Sequence, residues 1–299
     1  MTITGVTIGI AALTMITMAV ILSYILGWAS KAFYVEVDPR VEEVRDALPG
    51  ANCGGCDYLG CSEYAVAIVT DNAPVYKCPV GGEACAVKIA SIMGVDPGVS
   101  MLYRPIVHCG ASCDDRLGRM DYQGEQRCSA AQFVAGIQKC AFGCLGFGDC
   151  VRACRYDAIH IVNGLAEVDY DTCVGCCACA KACPRHIISI ENFTEPAMPV
   201  VACSNTDKGK DVTSVCSKGC IGCKACTRIS GVFSMKTDIS VCDYSSYSHL
   251  ISAEVKKAMD KCPRNCIKFV GKKAAVKDVM EEKALEKAEV LEKAEKEGV

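Results

Sequence analysis

The chain lacks a basic excess: 32 Lys and Arg stand against 35 Asp and Glu, a formal charge of -3 over 299 residues. Nucleic-acid binding driven by phosphate neutralisation is excluded as a main activity. Large aromatics are scarce, with one Trp and seven Phe, so one large core is not expected and the length suits two or three small domains. No Gly-x-Gly-x-x-Gly follows a strand, and neither a P-loop nor a His-Glu-x-x-His motif occurs. No visible site for nicotinamide, flavin or a catalytic zinc remains. The four His are scattered, and the carboxylates form no pair suited to general acid–base work.

Charge is also missing at the start, where no charged residue precedes Lys31. The run Val6 to Trp28 is dominated by Ile, Leu, Val, Ala and Met, and a bilayer core about 30 Å thick takes roughly 20 helical residues. Trp28 and Tyr34 fall where an interfacial aromatic belt belongs. A basic leader and a small-residue cleavage site are both absent, which argues against a secretory signal. Lys31, Arg40 and Arg45 follow at once, so the positive-inside bias predicts a single-pass protein of the cytoplasmic membrane, in contact with lipid, with everything after the helix on the cytoplasmic side.

Against these absences stand 25 Cys, far more than packing alone uses. Disulfide frameworks belong to short secreted domains, so ligand spacing decides the reading. Cys140, Cys144, Cys150 and Cys154, followed by Cys173, Cys176, Cys179 and Cys183-Pro184, approach the bacterial two-cluster ferredoxin pattern, in which the last Cys of each run ligates the other cluster. One 4Fe-4S cluster is then expected on Cys154, Cys173, Cys176 and Cys179. A second falls on Cys144, Cys150, Cys183 and Cys140, the last standing in because Phe147 holds the usual middle position. Structural zinc on four thiolates is the competing reading, but it has no need of crossed spacing or a Cys-Pro ending.

The segment repeats. Cys140, Cys144 and Cys150 align with Cys216, Cys220 and Cys226, and Cys183-Pro-Arg with Cys262-Pro-Arg, each before an apolar strand. In the second copy Ser230, Ser252, Val255 and Ala258 stand at the counterparts of Cys154, Cys173, Cys176 and Cys179. One whole ligand set is lost together. The remaining Cys220, Cys223, Cys226 and Cys262 predict a single cluster, with a helix in 242–262 filling the vacated space. Nearer the apolar segment, Cys53, Cys56 and Cys61 lie in a glycine-rich stretch followed by Cys78, which reads as a cluster loop. A fifth cluster is a candidate on Cys109, Cys128, Cys203 and Cys216, because PIVHC at 105–109 parallels PVVAC at 199–203. Cys113 is an alternative donor there, and plain burial of these thiols is the other reading. Cys85, Cys177, Cys242 and Cys266 read as packing thiols.

The apolar helix, DALPGANCGGCDYLGC at 46–61, GCLGFGDC at 143–150 and the tandem cysteine units together closely resemble the B subunit of the Rnf complex, over residues 1 to about 270. That resemblance implies one component of a membrane-bound, ion-translocating ferredoxin:NAD oxidoreductase. It implies soluble ferredoxin as electron donor, relay through the clusters toward the membrane-embedded A and E subunits, and NAD and flavin chemistry in the C, D and G subunits. The competing assignments are a membrane-anchored polyferredoxin serving another reductase or hydrogenase, which purification partners would reveal, and a redox-silent iron–sulfur or zinc sensor.

The expected fold is α+β: one N-terminal transmembrane helix, a small 4Fe-4S domain and tandem ferredoxin-like β-α-β units. The expected boundaries are 1–33 for the anchor, 34–50 for a linker with a short helix at 41–48, 51–100 for the first 4Fe-4S domain, 101–195 for the two-cluster unit, 196–271 for the single-cluster unit and 272–299 for a charged helical or disordered tail.

Overall fold

The computed structural model describes residues 2–33, 38–98 and 102–280. Tyr34, the start of the linker, the 100/101 boundary and the tail from 281 lie outside the described residues.

The uncharged start forms α1, Thr2–Ala32. Its segment Thr7–Ala32 is long and apolar enough to cross a membrane, and none of it is buried against protein. Asp38 caps α2, Pro39–Ala47, by accepting from the Arg40 amide, with Pro39 pre-set for the first turn. Helices α3, Cys61–Thr70, and α4, Gly82–Met93, pack with α2 around buried Val44, Tyr64, Ile68 and Ile89. Tyr64 donates its hydroxyl to the Pro74 carbonyl (2.6 Å) and accepts the Lys77 amide (3.1 Å), pinning the loop that delivers Cys78.

The rest is built on short antiparallel pairs. Strand β1, Tyr103–Val107, is followed by the short helices α5, Cys128–Ala131, and α6, Asp149–Ala153, then by β2, Ile159–Val162, and β3, Leu165–Val168. Helix α7, Ala178–Ala182, leads to β4, Ile188–Asn192, which pairs back on β1 with Val107 opposite Ile188. The chain then repeats itself with β5, Ala197–Val201, α8, Gly209–Val215, β6, Phe233–Lys236, β7, Ile239–Cys242, α9, Ser252–Asp260, and β8, Ile267–Gly271. Here β5 pairs with β8, Val201 opposite Ile267, and β6 pairs with β7 as β2 does with β3.

The equivalence extends to single bonds. His108 N donates to Ile187 O as Ala202 N does to Cys266 O. Gly146 and Gly222 take positive φ where a side chain would strike the hairpin turns at Gly164 and Asp238. In the second repeat α9 occupies the stretch expected to be helical. Ser230 and Ser252 are buried, and Val255 and Ala258 are fully buried in a core with Met198, Phe233 and Phe269. The segment 273–280 is helical, and Val279 is buried against that same core. The described start of the tail is thus a helix docked on that core.

Candidate functional site

Four cavities lie in the repeats, each lined by at least four thiols. Cys154, Cys173, Cys176 and Cys179 face one, with Cys177 beside them. Cys220, Cys223, Cys226 and Cys262 face another, joined by Cys266. A third is lined by Cys128, Cys144, Cys150 and Cys183. The fourth lies between the repeats and is lined by Cys109, Cys140, Cys203 and Cys216.

The last two groupings correct the sequence reading: Cys128 and Cys140 have changed places, and Cys113 faces neither cavity. The cause is local. Asp149, at the start of α6, accepts from the amides of Cys128 (3.1 Å) and Ser129 (2.8 Å), which holds α5 and its Cys128 beside Cys150. Gln138 donates to the Cys140 and Gly143 carbonyls, and Arg185 donates to Cys140 O (3.0 Å), turning the Cys140 loop toward the second repeat. Cys113 is engaged elsewhere, its sulfur accepting from Arg119 at 3.0 Å.

The fifth group is the loop before α3. Cys56 stands close enough to Cys53 and Cys78 for their charges to oppose its ionisation, and Cys61 packs against the same core at the start of α3, its amide held by Asn52 Oδ1 at 2.8 Å. This loop leans on the first repeat: Lys181 Nζ donates to Gly54 O and Arg155 to Ala51 O, both at 3.2 Å.

The five groups form a succession. The Cys53 and Cys176 thiols both act on Tyr156 and Cys177. Cys150 disfavours the charge of Cys179, Cys109 that of Cys144, and Cys220 that of Cys203. The order in space is thus the Cys53–Cys78 loop, the Cys154–Cys179 cavity, the Cys128–Cys183 cavity, the inter-repeat cavity and the Cys220–Cys262 cavity.

The donor chemistry fits iron–sulfur clusters. Backbone N–H groups point at ligand sulfurs, as from Asn205 and Cys220 to Cys203, Lys218 and Gly219 to Cys216, and Gly222 and Ser240 to Cys220. Such bonds stabilise thiolate and sulfide charge. Among the described residues no three His, Cys, Asp or Glu converge as a single-ion site requires; the thiols surround cavities instead.

Comparison with known proteins agrees in kind. Residues 48–80 match the family described as "Putative Fe-S cluster" and residues 166–189 the 4Fe-4S binding domain family. The B subunit of the Na(+)-translocating ferredoxin:NAD(+) oxidoreductase complex of Acetobacterium woodii is 38% identical over 246 residues, 81% of this chain and 72% of the relative. The B subunit of the Clostridium ljungdahlii proton-translocating ferredoxin:NAD(+) oxidoreductase complex is 33% identical over 266 residues, 86% and 90% of the two chains. The B subunit of the ion-translocating oxidoreductase complex of Methanosarcina acetivorans is 38% identical over 202 residues, 67% and 76%.

The chain belongs to the family of Rnf B subunits. It is an iron–sulfur electron-transfer protein that carries 4Fe-4S clusters within a multi-subunit, membrane-associated complex.

Two residues read from sequence as packing thiols contact the thiols of these groups. The Cys266 thiol lies 3.5 Å from Cys262 Sγ and also reaches Cys220; its hydrogen bonds hold Cys262 down at about 5 and lower Cys220 as well. Cys85 lowers Cys78 in the same way, while its own Sγ contacts Ala47 O at 3.4 Å. Elsewhere burial raises the thiols, Cys150 and Cys179 to about 12 and Cys203 to about 11. No spacing rule reveals such neighbours, since Cys85 and Cys266 fall outside every ligand motif.

Proposed function

We propose that the five thiol groups each hold one 4Fe-4S cluster and that the chain conducts electrons from soluble ferredoxin to the membrane partners of an ion-translocating ferredoxin:NAD oxidoreductase. The ligand sets are Cys53, Cys56, Cys61 and Cys78; Cys154, Cys173, Cys176 and Cys179; Cys128, Cys144, Cys150 and Cys183; Cys109, Cys140, Cys203 and Cys216; and Cys220, Cys223, Cys226 and Cys262. The repeats are read as tandem ferredoxin-like units, the second having exchanged one cluster for α9.

The observation that carries this reading is the unbroken succession of sites, from the loop that follows α1 in sequence to the Cys220–Cys262 cavity. Bound clusters supply one-electron exchange at potentials set by charge, hydrogen bonding and exposure. The protein's part is to hold the donors, keep water from the buried sites and direct N–H groups at sulfur. Cys223 is exposed while Cys220 and Cys226 are buried, so the Cys220–Cys262 end is the accessible one and receives ferredoxin. The Cys53–Cys78 end, next to the anchor, delivers to the A and E subunits, with C, D and G completing the complex. Lys31, Arg40 and Arg45 favour the cytoplasmic face of the cytoplasmic membrane for the cluster domains.

Anaerobic iron and acid-labile sulfide analysis tests this, with about 20 irons per chain expected from four per cubane. Cys128→Ser should remove the same EPR component as Cys150→Ser, and Cys140→Ser the same one as Cys203→Ser. If Cys140→Ser pairs with Cys150→Ser instead, the two ligand sets are wrong. Stoichiometric zinc without sulfide would overturn the function itself.

A further inference from the structure

The inter-repeat cavity has cations on its walls and no carboxylate among the residues that line it. Arg116 is 5% exposed; its Nε and Nη2 donate to Ala111 O (3.1 and 2.7 Å) and Nη2 also to Gly164 O (2.9 Å). Its Nη1 is buried without any partner, and among the described residues Arg116 makes no ion pair. A buried guanidinium satisfied only by carbonyls is costly unless an anion completes it. The acid next to it in sequence, Asp115, is directed elsewhere, to Ser112, Ser217 and Lys218.

Further positive charge holds the loops beside this cavity, from Arg185 and Arg264, which line the two neighbouring cavities. Arg185 binds the Cys140 carbonyl, and Arg116 is near enough to disfavour its charge. Arg264 binds the carbonyl of Cys216, the repeat counterpart of Cys140. Two Cys-Pro-Arg motifs thus hold equivalent loops by their carbonyls, while Arg116 lines the inter-repeat cavity itself. Arg185 lines the Cys128–Cys183 cavity and Lys224 and Arg264 the Cys220–Cys262 cavity, whereas no lysine or arginine lines the Cys154–Cys179 cavity.

We propose that Arg116 is the built-in countercharge of the inter-repeat cluster, its free Nη1 donating to a cluster or ligand sulfur and raising that cluster's reduction potential. The inference rests on the cluster reading of this cavity. In the step concerned the inter-repeat cluster gains one electron and one negative charge from the reduced cluster at Cys220–Cys262, which is reoxidised; no proton moves. A nearby fixed cation favours the more negative state.

The test is a redox titration of the purified, cluster-loaded protein followed by EPR, with iron content measured alongside. Cys203→Ser first identifies the inter-repeat component; unchanged iron and spectrum in that variant would remove the site itself and leave Arg116 without a role. With the site established, that component is titrated in the unsubstituted protein as the reference. In Arg116→Gln its reduced-to-oxidised ratio at fixed potential should fall at least tenfold, about 59 mV for a one-electron couple. Arg116→Lys, which keeps the charge, should retain the iron and less than half of that shift. An unshifted component in Arg116→Gln overturns the proposal. If Arg116→Gln loses the cluster, Arg116→Lys decides: retained iron supports a countercharge, and equal loss or an equal shift means that shape rather than charge matters.

Discussion

Cys128 and Cys140 show what spacing can and cannot convey at the scale of one residue. Their thiols were recognisable as candidate ligands, but the cavity that each faces is decided by Asp149 gripping the start of α5 and by Gln138 and Arg185 holding the Cys140 carbonyl. One signal was available: Cys140 aligns with Cys216, so a site that takes Cys216 from one repeat should take Cys140 from the other. Acidity differs among these thiols in a way that pH exposes. Cluster binding must displace protons from Cys150, Cys179 and Cys203, whose folded values lie at about 12, 12 and 11. Throughout pH 6 to 9, affinity at their sites rises with pH and falls on acidification. Cys262, held at about 5, releases no proton in that window and lowered Cys220 adds little slope, which leaves Cys226, raised by burial, as the pH-sensitive donor of that set. Chelator stripping at pH 6 should therefore empty the Cys150, Cys179 and Cys203 sites several-fold faster than at pH 9, with a smaller ratio for the EPR component removed by Cys262→Ser.

At the scale of elements, the strands leading into and out of each ligand run were legible as apolar stretches beside PIVHC, PVVAC and Cys-Pro-Arg. The hairpins β2–β3 and β6–β7 were not, because strands of four residues carry too little periodicity to stand out. Helix α9 was anticipated from the loss of a complete ligand set, and its packing shows why that loss is stable. Val255 and Ala258 are fully buried where the first repeat has thiols. Val255→Ala should cost about 1.5 to 2 kcal/mol, from roughly 0.8 kcal/mol per buried methylene with a small cavity added; denaturant titration of the loaded protein measures it. Restoring the four cysteines at 230, 252, 255 and 258 should add no iron, since α9 and its core fill the volume that a cluster needs. A gain of four irons would show that the helix yields.

For the whole molecule, the proposed conduction along a single file of sites would make the middle ones indispensable. Cys150→Ser should leave the Cys220–Cys262 component reducible by ferredoxin in the loaded complex while slowing reduction of the Cys53–Cys78 component at least tenfold, read by freeze-quench EPR; equal rates would demand a second route. The N-terminal apolar run, the cysteine count and the family were legible because they depend on composition and short motifs. The file itself was not, since it arises from contacts between segments as far apart as Gly54 and Lys181. The interleaving of donors has a last consequence for how the protein is made. The last donor of each site in spatial order is Cys78, Cys179, Cys183, Cys216 and Cys262, an order that rises without exception along the chain. As the polypeptide leaves the ribosome, each compartment gains its final thiol only after its neighbour on the anchored side is complete, so iron can be loaded outward from the membrane in a single sweep.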